Sequence, residues 1–166
     1  AGDPEVGGGG SVERQRLVTG LPEWLQPLAT AVASVRPEEL TRFLPPPDGG
    51  RASAVLILLS GGDAAERADA PEPDLLLIER AGGGGVHSGQ PAFPGGAVDA
   101  DDEGPVAAAL REAAEEAGVA ADSVEPFATL PDLWVPVSGF VVTPVLAHWR
   151  DPHPVTPGHP DEVAAV

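Results

Sequence analysis

The residues best equipped for chemistry lie in LREAAEEAGV, positions 110 to 119. On a helix, Glu112, Glu115 and Glu116 stand three and four residues apart, so they share a stripe and repel one another. They also fall in the last turns before Gly118, where a helix ends in partial negative charge and carboxylates are least favoured. Stability alone does not select this arrangement. Hard oxygen ligands grouped in this way suit Mg²⁺ or Mn²⁺, which prefer carboxylates, carbonyls and water. A bound cation would turn the repulsion into attraction. A solvated acidic face is the alternative reading of the same stripe. Arg111 stands one turn ahead of Glu115 and can hold that carboxylate in place, although Arg before Glu is the weaker order.

A second component precedes the helix in PAFPGGAVD. Gly95 and Gly96 can adopt φ > 0 or let the backbone approach a ligand closely, presenting carbonyl or N–H groups to a metal or a phosphate. A plain turn is the alternative. The upstream AGGGG lacks a following GK[ST] and is therefore not a phosphate loop of that type.

The acidic stripe needs a helix, and its boundaries can be read from residue chemistry. Asp101, Asp102 and Glu103 place negative charge at its start, Pro105 suits the first turn, and Gly118 suits the position just past the end. The expected span is Gly104 to Ala117. At about 100° per residue, Val106, Ala109, Leu110, Ala113 and Ala117 form one apolar face, which packs on a sheet. SAVLILLS and DLLLIER read as buried strands joined as a hairpin across an acidic loop, and VEPFATLPDLWVPV and GFVVTPVLAHW as further strands. LPEWLQPLATAVASV and PEELTRFL read as two short helices, with Pro27 starting a helix rather than sitting inside one. Residues 1–20 form an expected flexible tail, 21–50 a helical lead, and 51–166 the main domain. Strands around one long helix, with more helix ahead, make an α/β layered fold. DEVAAV reads as the opening of a strand, so such a domain is expected to continue beyond it.

Composition narrows the chemistry. The 166 residues carry a formal charge of −17, and all nine basic residues are arginine. That balance argues against a nucleic acid partner, which requires a basic patch to release counterions. Cysteine is absent, which removes disulfides, thiolate metal sites and a cysteine nucleophile. No stretch approaches the roughly 18 apolar residues of a membrane span, and the N-terminus lacks the regions of a signal peptide. A cytoplasmic protein that contacts no membrane is the expectation. His153 and His159 sit among prolines in DPHPVTPGHP, a poor frame for a metal site. For His87 an ordinary loop hydrogen bond is the simpler reading. Trp134 and Trp149 are expected in the core or in a pocket wall.

PGGAVDADDEGPVAAALREAAEEAGV closely resembles the signature of the Nudix family, in which a GG turn and an acidic residue precede a helix containing REXXEEXG. Arg111 to Val119 fit that helix completely. Counting back from Arg111, the signature acid falls on Glu103, but the signature glycine falls on Ala97 rather than Gly96, so the loop is one residue longer. The longer loop with Asp99 and Asp102, together with LLLIER and HSGQPAFPGG, resembles the coenzyme A pyrophosphatase branch. One departure is Gly85, which stands where that branch usually has Arg.

The resemblance implies a Nudix-type α/β/α sandwich with a mixed sheet. It also implies hydrolysis of a nucleoside diphosphate linked to another group, for this branch coenzyme A to 3′,5′-ADP and 4′-phosphopantetheine. Carried over by position, Glu112, Glu115 and Glu116 are the ligands of Mg²⁺ or Mn²⁺, with the Gly96 carbonyl as a fourth. Arg111 orients Glu115, and Glu112 is an alternative general base. Gly95 and Gly96 can present backbone to the substrate, and Arg80 remains as a cation for its phosphates, a strand-end charge that is solvated or paired with Glu79 being the alternative for Arg80. Hydrolysis of ADP-ribose, NADH or another dinucleotide is the alternative within enzymes. A nucleotide-binding module without catalysis is the alternative outside them, and a homodimer is compatible with either.

Overall fold

The fold is built around one strand that is apolar on both sides. In the computed structural model, which describes residues 20–47, 49–61, 72–81 and 89–166, this strand is β1, Arg51–Ser60. Before it come a 3-10 turn, Glu23–Leu25, and two short helices, α1 at Gln26–Val32 and α2 at Pro37–Leu40. Pro27 stands in the first turn of α1, where its missing N–H costs nothing. After β1 follow β2 (Asp74–Leu75), β3 (Ile78–Arg80), β4 (Pro91–Ala92) and β5 (Gly95–Ala97). The long helix α3, Pro105–Ala117, leads to β6 (Val124–Thr129), β7 (Leu133–Val135), β8 (Phe140–Trp149) and β9 (Val163–Ala165).

The larger sheet runs β2-β1-β8-β6, with β5 on β1 and β7 on β8, and a smaller one runs β4-β3-β9. β1 and β8 are parallel while the other pairings of the larger sheet are antiparallel, so that sheet is mixed. Successive side chains of a strand point to opposite faces, and β1 uses both. Ala54, Leu56 and Leu58 join Ala108, Ala109, Ala113 and Ala117 of α3 in one core. Ile57 and Leu59 meet Leu21, Leu25, Ala29, Phe127 and Leu146 in a second. Helix, sheet and helix therefore form three layers, which is the expected α/β/α arrangement. The alanines of α3 let that helix lie close against the strands.

Two expectations change. The run DLLLIER is not one hairpin strand. Asp74 and Leu75 pair with β1 and the Leu76 N–H still donates to the Leu58 carbonyl at 3.0 Å, but Ile78 to Arg80 cross to the smaller sheet between β4 and β9. An apolar run carries no mark of where a strand changes sheets, because Leu76 and Ile78 are buried in the same core either way. The helical lead is also not separate from the main domain: Leu25 is fully buried against it. The expected tail at 1–19, the acidic loop at 62–71, and Gly85 and His87 lie outside the described residues. Among the described residues, no helix is long and apolar enough to cross a membrane.

If the lead belongs to the fold, Leu25→Ala removes a fully buried side chain. It should lower the unfolding free energy by about 2 to 5 kcal/mol in urea titrations, in a single transition. A change near zero, or a separate early transition, would show that the lead packs independently.

Candidate active site

Helix α3 is held at both ends by glycine. Gly104 precedes it at φ 136°, Pro105 opens it, and Gly118 closes it in the left-handed region at φ 71°, where a side chain would be strained. The expected span was correct to within one residue at its start. The helix faces β1, β5 and β8, and this docking places its acidic stripe beside β5.

Register decides which backbone atoms meet that stripe. The Leu56 N–H donates to the Pro94 carbonyl at 2.8 Å, and the Val98 N–H to the Ala52 carbonyl at 3.0 Å. Ala54 opposes Gly96 midway between these pairs. Bonded and non-bonded pairs alternate along an antiparallel ladder, so Gly96 turns its polar atoms into the sheet. Gly95 and Ala97 turn theirs outward. Accordingly, the Gly95 N–H donates to Glu116 at 2.8 Å, and the Ala97 carbonyl accepts from Arg111 at 3.0 Å. Neither Gly95 nor Gly96 has positive φ. Their role is close approach: a methyl group on Gly95 would overlap the Ala54 carbonyl oxygen, and one on Gly96 would overlap the Glu112 carboxylate. The alternative of a plain turn gives way to a strand. The carbonyl facing away from β1 is that of Gly95, whereas Gly96 was the expected donor.

The three glutamates have different surroundings. Glu116 is buried, at 8% exposure. Burial raises its pKa above the ordinary carboxylate range, the Gly95 N–H acts in the opposite direction, and the charges of Glu112 and Glu162 raise it further. Glu112, with its side chain 17% exposed, bonds Arg111 at 3.0 Å. Glu115 is 49% exposed and reaches the same guanidinium at 3.3 Å. Arg111 is thus the centre of a network. It also bonds both oxygens of Asp102, at 3.1 and 3.0 Å, and lies 3.5 Å from Asp99. The Asp102 hydrogen bond leads the effects that raise the Arg111 pKa, and Arg111 in turn lowers that of Asp102.

Among the described residues, no three acidic or histidine side chains converge into a ready chelate. Glu112 and Glu116 form a pair over β5, and Glu115 is tied to it through Arg111. This donor set fits Mg²⁺ or Mn²⁺, since Mg²⁺ keeps several waters and is typically held by one or two carboxylates plus substrate phosphates. The buried charge of Glu116 also lacks an ion-pair partner within 4 Å among the described residues, an arrangement that favours a cation. Arg80, on β3, acts on Glu116 electrostatically and has no side-chain partner among the described residues.

The family model described as the NUDIX domain matches residues 50–166. The chain belongs to the Nudix family. It is 49% identical over 98 residues to an uncharacterized Nudix hydrolase, NudL, of Cronobacter sakazakii, covering 58% of this chain and 49% of that protein. Over 102 residues it is 47% identical to a NudL of Salmonella paratyphi B, covering 58% and 49%. The chain thus spans about half the length of these curated relatives. In fold it resembles a MutT/nudix family protein from Enterococcus faecalis, with TM-score 0.52, 20% identity, and 96% of this chain and 55% of that one covered. It also resembles the NUDIX domain of Shewanella oneidensis NrtR, solved with ADP ribose, with TM-score 0.51, 17% identity, and 86% and 79% covered. Nudix hydrolases generally use divalent metal ions and act on small-molecule nucleotides.

Two residues of this Nudix site were missed in the sequence. Asp102 reads there as helix-start charge and as part of a loop spacing, not as the main partner of Arg111, which it is. Glu162 reaches the field of Glu116 because β9 pairs with β3, and no local spacing could reveal that. Other candidates lie elsewhere. The Trp134 ring packs on Gly50, and Trp149 is in the core with its indole N–H on Ser123. His153 accepts the Ala120 N–H, and the backbone carbonyl of His159 caps the turn before β9.

The folded pKa of Asp102 lies below its unfolded value, so its contribution to stability is present above the unfolded pKa and is lost as pH falls through the folded one. Asp102→Asn should therefore lower the melting temperature at neutral pH, and the gap to the parent should close as acid is added. A gap that is independent of pH would show that Asp102 does not hold Arg111 through its charge.

Proposed function

We propose that this Nudix domain is a metal-dependent pyrophosphohydrolase that cleaves a nucleoside diphosphate linked to another moiety. The preferred substrate class is coenzyme A or its derivatives, giving 3′,5′-ADP and 4′-phosphopantetheine. The observation that carries the reading is the pairing of Glu112 and Glu116 over the two glycines of β5, with Arg111 locking Glu115 into the same network. A solvated acidic face gives no reason for Glu116 to be buried.

In this reading Glu112, Glu115 and Glu116 hold Mg²⁺ or Mn²⁺, and the outward Gly95 carbonyl is available beside them. A bound cation would neutralise phosphate oxygens and favour deprotonation of the attacking water. Arg111 keeps Glu112 and Glu115 in fixed positions, and Arg80 presents a guanidinium to a substrate phosphate. Water attacks one phosphorus, the bond to the bridging oxygen breaks, and the second phosphate leaves with that oxygen. The proton from the water passes to a carboxylate of the cluster. The coenzyme A assignment rests on the sequence of LLLIER and HSGQPAFPGG, and it places the activity in the cytoplasm, where that substrate is found.

Hydrolysis should stop in excess EDTA and return with Mg²⁺ or Mn²⁺. Undiminished turnover in chelator would remove the metal from the reading. In a panel with product identification, coenzyme A should be cleaved, and Gly85→Arg should lower its KM by restoring the arginine that the branch usually carries at that position. Faster turnover of ADP-ribose than of coenzyme A would overturn the branch assignment while leaving the pyrophosphohydrolase in place.

A further inference from the structure

The proline-rich run DPHPVTPGHP joins β8 to β9, and nothing in the proposed chemistry uses it. Its backbone nevertheless ends on the catalytic helix. The last carbonyls of a helix lack partners within it. Here the Gly158 N–H donates to the Glu116 carbonyl at 2.9 Å, and the Thr156 N–H to the Ala117 carbonyl at 3.3 Å. Contact is close enough that a methyl group on Gly158 would overlap the Glu115 carbonyl oxygen. The segment is anchored at both ends. At its start His153 accepts the Ala120 N–H at 3.1 Å and sets its ring edge-on to Trp149. At its end the Ala81 N–H donates to the Glu162 carbonyl, joining β9 to β3.

We infer that residues 156–158 are a positioning clamp for the carboxylate site, with Gly158 its determining residue. Two N–H groups are placed against the negative end of α3, beside the carboxylates that this end disfavours. They fix the backbone of Glu116 and Ala117, with Gly158 packed against the Glu115 carbonyl, while the same segment delivers Glu162 to the site. A side chain at 158 would push the last helical turn away from β5, loosening Glu116 from the Gly95 N–H. Prolines at 154 and 160 on either side of the segment and at 157 within it limit how far it can give.

The inference rests on the metal-binding reading above, and the test separates the two. Mn²⁺ binding to the full chain is measured by titration calorimetry, well below the melting temperature of each variant. Glu116→Gln is the reference for loss of a ligand. Gly158→Ala should raise the Mn²⁺ dissociation constant about tenfold or more. Thr156→Pro removes one donor at a position whose backbone the following Pro157 already restricts, and it should weaken binding severalfold. It carries the test if Gly158→Ala fails to fold. His153→Ala should lower the melting temperature yet leave Mn²⁺ affinity within about twofold, since water can reach the exposed Ala120 N–H. Loss of affinity in Glu116→Gln but parental affinity in both loop variants would overturn the clamp. If the parent and Glu116→Gln bind Mn²⁺ equally, the metal reading falls and takes the clamp with it.

Discussion

The site depends on one contact, the hydrogen bond from the Gly95 N–H to the Glu116 carboxylate. An ionised carboxylate is costly to bury unless it is paired and hydrogen-bonded, and Glu116 sits at 8% exposure with this single bond from the sheet. Because Gly96 pairs with β1, Gly95 has its N–H free to meet the helix. The alanine face of α3 lets the helix come close enough to receive it, and the absence of a side chain on Gly96 leaves room for Glu112 alongside. Changing any one of these features separates the acids from the strand.

Arg111 balances the exposed side of the same cluster. Asp102, the Ala97 carbonyl, Glu112 and Glu115 surround its guanidinium, and the planar fork of an arginine suits several oxygens at once. Asp102 is therefore a positioning residue: it holds the group that holds two of the carboxylates. Negative charge is paired on this side, whereas Glu116 has no ion-pair partner within 4 Å among the described residues and feels Arg80 only at longer range. In the proposed reading, that asymmetry would favour a cation on the β5 side, its shell completed by phosphate oxygens.

Local chemistry made the centre of this site legible. The Pro105 start, the Gly118 stop and the 3.6-residue pattern located α3 almost to the residue, and the acid spacing identified a stripe that helix stability does not explain. What the sequence withheld was non-local. Which glycine of the pair offers its backbone follows from a register set by Leu56 and Val98. Glu162 arrives through a strand pairing, and DLLLIER divides between two sheets with no change in its apolar pattern. The N-terminal helices were visible as helices, but the sequence did not show that Leu25 would fill the far face of β1. The arrangement of Glu115 was only partly foreseen, because its partner Arg111 serves Asp102 first.

Thermal melts of the parent and Glu116→Gln, each with and without Mg²⁺, test the central claim most directly. The folded pKa of Glu116 is raised, so its favourable contribution is present below the unfolded pKa and lost as pH rises through the folded one. At neutral pH without metal, the Gln variant should melt at or above the parent, since the amide oxygen can still accept the Gly95 N–H without burying a charge. Mg²⁺ should then raise the parent by mass action, as RT ln(1 + [L]/Kd), and the variant much less. A variant that melts well below the metal-free parent, yet gains as much from Mg²⁺ as the parent does, would mean that Glu116 is a structural acid and that α3 does not hold a cation.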